Sequence, residues 1–212
     1  MTHHVRTITI HLIRHAPTLH DKGTLPPYDP DVDLSQQGRI SALAGVLPPS
    51  SVWWVSPLLR CRKTADALKK AGASPSDEVV LNTIEEQRYG TWHGRPVADI
   101  WDEVKDGPKS NWHFLHPSIR PPEGESFDDL ITRLIPVMNA IQTSDIDHIT
   151  IIAHAMVIKA LIGMAMGLDS GQSLAFQIDH LSRTTLTYMA EGSSNGDHSG
   201  GPWQINRLNE IL

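Results

Sequence analysis

Two short stretches restrict this chain more than any others: TITIHLI at 7–13 and HITIIAH at 148–154. Both are rich in β-branched residues and nearly continuously apolar. Neither shows the alternation of a strand with one wet face, and both fit central parallel strands covered on both sides. The first runs straight into Arg14 and His15, and the second ends on His154. The most buried elements of the chain therefore carry ionisable groups at their ends.

The rest of the sequence alternates around these two strands. SVWWVS at 51–56 reads as a third strand. After the first strand, the prolines and glycine of residues 16–34 exclude regular structure. Helices are expected at 35–47 and at 57–72, the second with Pro57 in its first turn and Gly72 at its end. In SFDDLITRLIPVMNAIQ, Ser126 and Asp129 fit a capping box ahead of apolar residues at helical spacing, and Pro136 is expected to kink that helix. AMVIKALIGMAMGL at 155–168 reads as a further helix. RTTLTYMA at 183–190 and PWQINRL at 202–208 read as two strands joined by a mobile surface loop of glycine, serine and asparagine. No internal repeat of solenoid length is present.

Strands alternating with helices imply an α/β fold with a mainly parallel sheet, whose ligands gather at the carboxyl ends of the strands. Arg14 and His15 follow the first strand, Ser56 leads from the third into a helix carrying Arg60, and His154 precedes another helix. Two arginines and two histidines converge there. Guanidinium forks match phosphate oxygens, and a helix N-terminus adds backbone donors, so the cluster suits a dianion.

Composition excludes other roles. A formal charge of −6 gives no basic surface for nucleic acid, so any positive charge that meets a phosphate must be local. No run approaches the roughly 18 apolar residues of a membrane span, and the N-terminal segment lacks the pattern of a signal peptide. A lone cysteine, Cys61, excludes an intramolecular disulfide and fits a reducing compartment, with the cytoplasm as the expected location.

Six motifs then stand in order along nearly the whole chain. LIRHAPT, DLSQQGRISA, SPLLRCRKTA, EEQRYGTWHG, PPEGES and IIAHAMVIK resemble the segments that mark the histidine phosphatase superfamily. That superfamily includes the phosphoglycerate mutases, fructose-2,6-bisphosphatase and α-ribazole phosphatase; the chain is most similar to the phosphatase branch. The resemblance implies a phosphoglycerate mutase-like three-layer sandwich, a mainly parallel sheet flanked by helices. It is expected as a single domain over 1–212 with a lid inserted at about 87–125. It also implies a phosphomonoester hydrolase that needs no metal and no cofactor, acting on a small phosphorylated metabolite. His15 would be the nucleophile, attacking through a neutral ring nitrogen. Arg14, Arg60 and His154 would surround the phosphoryl oxygens. Glu86 would protonate the leaving oxygen with a carboxyl whose pKa is raised, then activate water. Register selects Glu86 over Glu85, because the family's acid stands three residues before an aromatic followed by glycine, here Tyr89-Gly90.

Several positions depart from the family pattern. Ala16 and Ala155 replace glycines, Pro17 removes an amide donor, and Asp21 stands where many members place a phosphate-binding asparagine. A mutase is the nearest rival within the mechanism. The family's mutases resemble one another in a tandem arginine in the lid, and this chain has no Arg-Arg dipeptide. Arg88-Tyr89-Gly90 does match a mutase stretch. A protein phosphatase and a non-catalytic phospho-ligand binding module complete the alternatives. Among the twelve histidines, His113 and His116 lie at i, i+3 but lack an acidic third ligand in a recognised metal motif. Cys61 beside Arg60 is expected to be a plain helix residue. Trp92, Trp101 and Trp112 are expected either to form the lid's own core or to meet substrate. The oligomeric state is not legible.

Overall fold

The computed structural model describes residues 6–189 and 201–212. A six-stranded mixed sheet forms its centre, in the order β3-β2-β4-β1-β5-β6. In chain order the elements are β1 (Thr7–Arg14), α1 (Gln37–Val46), β2 (Val52–Val55), α2 (Leu59–Lys70), β3 (Asp77–Val80), α3 (Val97–Val104), α4 (Phe127–Thr143), β4 (His148–Ala153), α5 (Ala155–Met166), α6 (Ser170–Ser173), β5 (Arg183–Met189) and β6 (Trp203–Glu210). The first four strands are mutually parallel. β5 pairs antiparallel with β1, and β6 with β5.

Helices cover both faces, which is why β1 and β4 read as unbroken apolar runs. Ile8, Ile10, Leu12, Ile149 and Ile151 face one way, onto Leu130 and Leu134 of α4 and Val157 and Leu161 of α5. Ile13, Val55 and Ile152 face the other way, onto Ile40 and Leu43 of α1 and Ala65 and Leu68 of α2. Each such side chain removed from water contributes roughly 1.5–3 kcal/mol. The result is the expected three-layer sandwich. In the connection between β3 and α4, Tyr89, Trp92, Ile100 and Leu115 form a smaller apolar cluster with Leu25.

Local signals set the element ends. Ser126 accepts from the Asp129 amide and Asp129 returns to the Ser126 amide, closing the expected capping box. α4 continues through Pro136 as one element. α2 begins at Leu59, two residues after the expected Pro57, because Ser56 and Pro57 still belong to the turn that leaves β2. α5 ends at Gly167, whose φ of 65° is the left-handed conformation that glycine adopts without steric cost. The expected loop between β5 and β6 lies outside the described residues. No helix among the described residues is long and apolar enough to cross a membrane.

Candidate active site

Register brings the ionisable groups together. Arg14 of β1 pairs with Ala153 of β4, and Val55 of β2 with Ile152. The next residues of those parallel strands, His15, His154 and Ser56, therefore emerge side by side at the carboxyl ends of the strands. Backbone bonds extend the ladder to them, from the His15 amide to the Ala153 carbonyl at 3.1 Å and from the Ser56 amide to the Ile152 carbonyl at 3.1 Å.

The protein fixes the proton positions on both rings. His15 Nδ1 lies 2.7 Å from the Ala16 carbonyl oxygen, an atom that can only accept, so Nδ1 carries the proton and Nε2 keeps its lone pair. The Ala16 amide is itself held by Thr64 Oγ1 at 2.9 Å, and that hydroxyl donates to the Arg60 carbonyl at 2.7 Å. Arg60 Nε donates to His154 Nδ1 at 3.1 Å, which leaves the His154 proton on Nε2, 2.8 Å from Ser56 Oγ. Burial, followed by the charges of Arg60 and Arg14, holds the His15 imidazole well below the usual histidine range. The same causes act on His154. Both rings are neutral at ordinary pH.

Arg14, His15, Arg60 and Glu86 line one cleft of about 360 Å³. Arg14 is oriented by donation from Nη1 to the Ile178 carbonyl at 2.6 Å, and its Nε is buried without a partner. Arg60 is oriented by the Tyr28 carbonyl at 2.8 Å and lies 3.6 Å from Asp29. The Glu86 carboxyl accepts from the Gln87 amide at 3.0 Å. Burial pushes its pKa up, against the pull of Arg60 and Arg14. Its neighbour Glu85 bonds the Tyr28 hydroxyl at 3.1 Å and does not line the cleft. His154 is fully buried behind Arg60, with both nitrogens engaged by protein. Such an arrangement can hold a dianion between two guanidinium groups and offer it a neutral imidazole.

Several contributors carry no motif that singles them out. The His180 ring lies 5.3 Å from that of His15 and lines the same cleft. Its signal was topological: β5 runs antiparallel beside β1, so residues just before β5 return to the end of β1, and the Leu181 amide bonds the Arg14 carbonyl at 3.1 Å. Arg133 donates to the carbonyls of Thr83 at 2.7 Å, Glu85 at 3.1 Å and Glu86 at 3.3 Å, and to Glu125 at 2.6 Å. It thereby ties the acid-bearing segment to α4.

Other expectations resolve residue by residue. Asp21 is exposed in a turn, its carbonyl bonded by the Thr24 amide, and Thr18 and His20 face the cleft instead. Trp92 is buried in the small cluster, whereas Trp101 and Trp112 are exposed, and none of the three lines the cleft. His113 lines the cleft while His116 bonds Ser118 on a separate surface depression, so the pair shares no site. Cys61 is buried, 3.5 Å from the Ala153 carbonyl, and burial pushes its thiol pKa up.

Fold and site together define an α/β chain with an anion pocket at the carboxyl ends of its parallel strands. A family model described as the histidine phosphatase superfamily, branch 1, matches residues 10–195, and the chain belongs to that superfamily. It is 30% identical over 164 residues to a bifunctional protein of Mycobacterium tuberculosis, a match covering 76% of this chain and 41% of that protein. The chain thus spans about two fifths of that relative's length. The solved structure of a mycobacterial glucosyl-3-phosphoglycerate phosphatase is similar with a TM-score of 0.76 at 21% identity, covering 96% of this chain and 99% of that one. An α-ribazole phosphatase of Shigella flexneri gives 0.72 at 19% identity, covering 96% of each. At these identities the structural likeness is one of fold.

Proposed function

We propose that this chain hydrolyses the phosphomonoester of a small metabolite, without a metal, through a phosphohistidine on His15. The observation that carries this reading is the bond from His15 Nδ1 to the Ala16 carbonyl, which leaves Nε2 as an unprotonated nucleophile beside Arg14 and Arg60.

In this reading the phosphoryl dianion sits between the two guanidinium groups, with α5 presenting its positive end. His15 Nε2 attacks phosphorus as the ester P–O bond breaks, and charge on the equatorial oxygens is met by Arg14 and Arg60. His154, held by Ser56, fixes the Nε of Arg60. The Glu86 carboxyl gives its proton to the leaving oxygen, and the resulting carboxylate then takes a proton from the water that hydrolyses the phosphohistidine. The guanidinium groups provide the counter-charge that a metal supplies in other phosphatases. Residues 87–125 cover the cleft as a lid built on the Trp92 cluster, within one domain. A reducing cytoplasm suits the buried thiol of Cys61.

Phosphate release from p-nitrophenyl phosphate in excess EDTA tests the reading. Turnover is expected to persist. Abolition by chelator with rescue by zinc or magnesium would contradict the metal-free mechanism.

A further inference from the structure

The cleft divides into two chemically different halves. Its charged side chains, Arg14, Arg60 and Glu86, all belong to the end that holds His15. The rest of the lining is uncharged, with Leu25, Pro26, Pro27, Tyr89 and Met156 among imidazoles. No lysine or further arginine lines the cleft among the described residues.

Of the lining imidazoles, His113 and His180 can offer hydrogen bonds without charge, whereas both nitrogens of His93 are engaged by protein. His93 is locked neutral, its Nδ1 donating to the Pro26 carbonyl at 3.0 Å and its Nε2 accepting from the Tyr89 amide at 3.1 Å. Burial and Arg14 push His180 down to about 3, and burial and Lys159 push His113 down to about 4. Two cations outside the phosphate end are held by protein acceptors. The Lys159 ammonium donates to the Leu174 carbonyl at 2.8 Å, and Arg88 reaches Glu125 at 3.4 Å.

Resting on the phosphatase reading, we infer that the leaving group of the substrate is uncharged, an alcohol with an apolar or ring-shaped face, and carries neither a carboxylate nor a second phosphate. An anionic group in the outer cleft would lose water without gaining a cationic partner. An uncharged alcohol loses little, because His113 and His180 can bond its hydroxyls while proline, leucine and tyrosine cover its carbon skeleton. The two guanidinium groups are fully used by one phosphoryl dianion.

Matched substrate pairs decide the matter, using the full chain. Glycerol 3-phosphate and 3-phosphoglycerate share a carbon skeleton and differ by an alcohol against a carboxylate. Phenyl phosphate and 4-carboxyphenyl phosphate differ by a carboxylate alone, and in that pair intrinsic leaving ability slightly favours the charged member. We expect kcat/KM to favour the uncharged member by about tenfold or more in both pairs. The substitution His113→Lys, which places a cation on the outer wall, should narrow both ratios. Equal or reversed preference in either pair, or ratios unmoved by His113→Lys, would overturn the inference while leaving a phosphatase. Failure to hydrolyse even phenyl phosphate would overturn the phosphatase reading and this inference together.

Discussion

A histidine can attack phosphorus only with an unprotonated nitrogen, and an acid can protonate a leaving group only while it holds its proton. Buried together, His15 and Glu86 move in the two directions those tasks require: the imidazole down, by burial and then Arg60 and Arg14, and the carboxyl up, by burial. Activity on an alkyl phosphate should therefore rise as pH climbs through the lowered pKa of His15 and fall as pH passes the raised pKa of Glu86, giving an acid-side maximum. Glu86→Gln should slow alkyl phosphates far more than p-nitrophenyl phosphate, whose leaving group scarcely needs a proton, and should remove the basic limb. Equal losses on both substrates would count against Glu86 as the acid. Glu85→Gln should change little, since its carboxylate bonds Tyr28 outside the cleft. These residues were legible because chemistry restricts their type and register their position. His180 was not, because its approach to His15 depends on an antiparallel strand that returns from elsewhere in the chain.

Between residue and fold, elements are held by a few specific contacts that can be removed singly. Glu125 and Arg133 form a buried ion pair, with side chains 6% and 18% exposed, and the same guanidinium holds three carbonyls of the acid-bearing segment. Arg133→Met leaves Glu125 short of its closest cation, and breaking such a pair costs about 3–5 kcal/mol. A urea titration should show that loss, with a fall in kcat on alkyl phosphates larger than any rise in KM. A wild-type midpoint would show that the pair carries no stability. On the other side of α4, α5 and α6 meet at Gly163, where an added Cβ would lie 1.8 Å from Ser173 Oγ. Gly163→Ala should destabilise by about 1–3 kcal/mol through forced repacking, whereas a neutral effect would mean that α6 moves freely. Sequence periodicity located the long elements because their burial is strong and regular. It missed β3, whose four residues are exposed at the sheet edge, and α3, which buries only Ile100. An element that buries little leaves little pattern to read.

For the whole molecule, the sheet order puts strands distant in sequence side by side, and no local pattern encodes β3-β2-β4-β1-β5-β6. The six motifs in order carried that information through the family they mark. One consequence of the assembled sheet is a stability that depends on pH. His11, 6% exposed on β1, is pushed from 6.5 to about 4 by burial, then by Arg183, His148 and Arg207. The unfolded chain takes up that proton near pH 6.5 and the folded chain only near 4. The contribution is thus fully present above 6.5 and is lost progressively as pH falls toward 4. The shift is worth about 3 kcal/mol. Urea midpoints at pH 7.5 and pH 5 should differ by the equivalent of about 2 kcal/mol of that, since pH 5 lies between the two pKa values, and His11→Gln should shrink the difference. A gap unchanged by that substitution would place the acid sensitivity elsewhere.

The covalent role of His15 is the centre of the account, and rapid acid-free quenching during turnover of a 32P-labelled phosphomonoester measures it directly. Protein-bound label is expected that is stable in base, labile in acid, and located on the peptide bearing His15. No label is expected in His15→Ala, whose turnover should fall by about three orders of magnitude or more. Undiminished labelling or turnover in that variant would contradict the phosphohistidine mechanism.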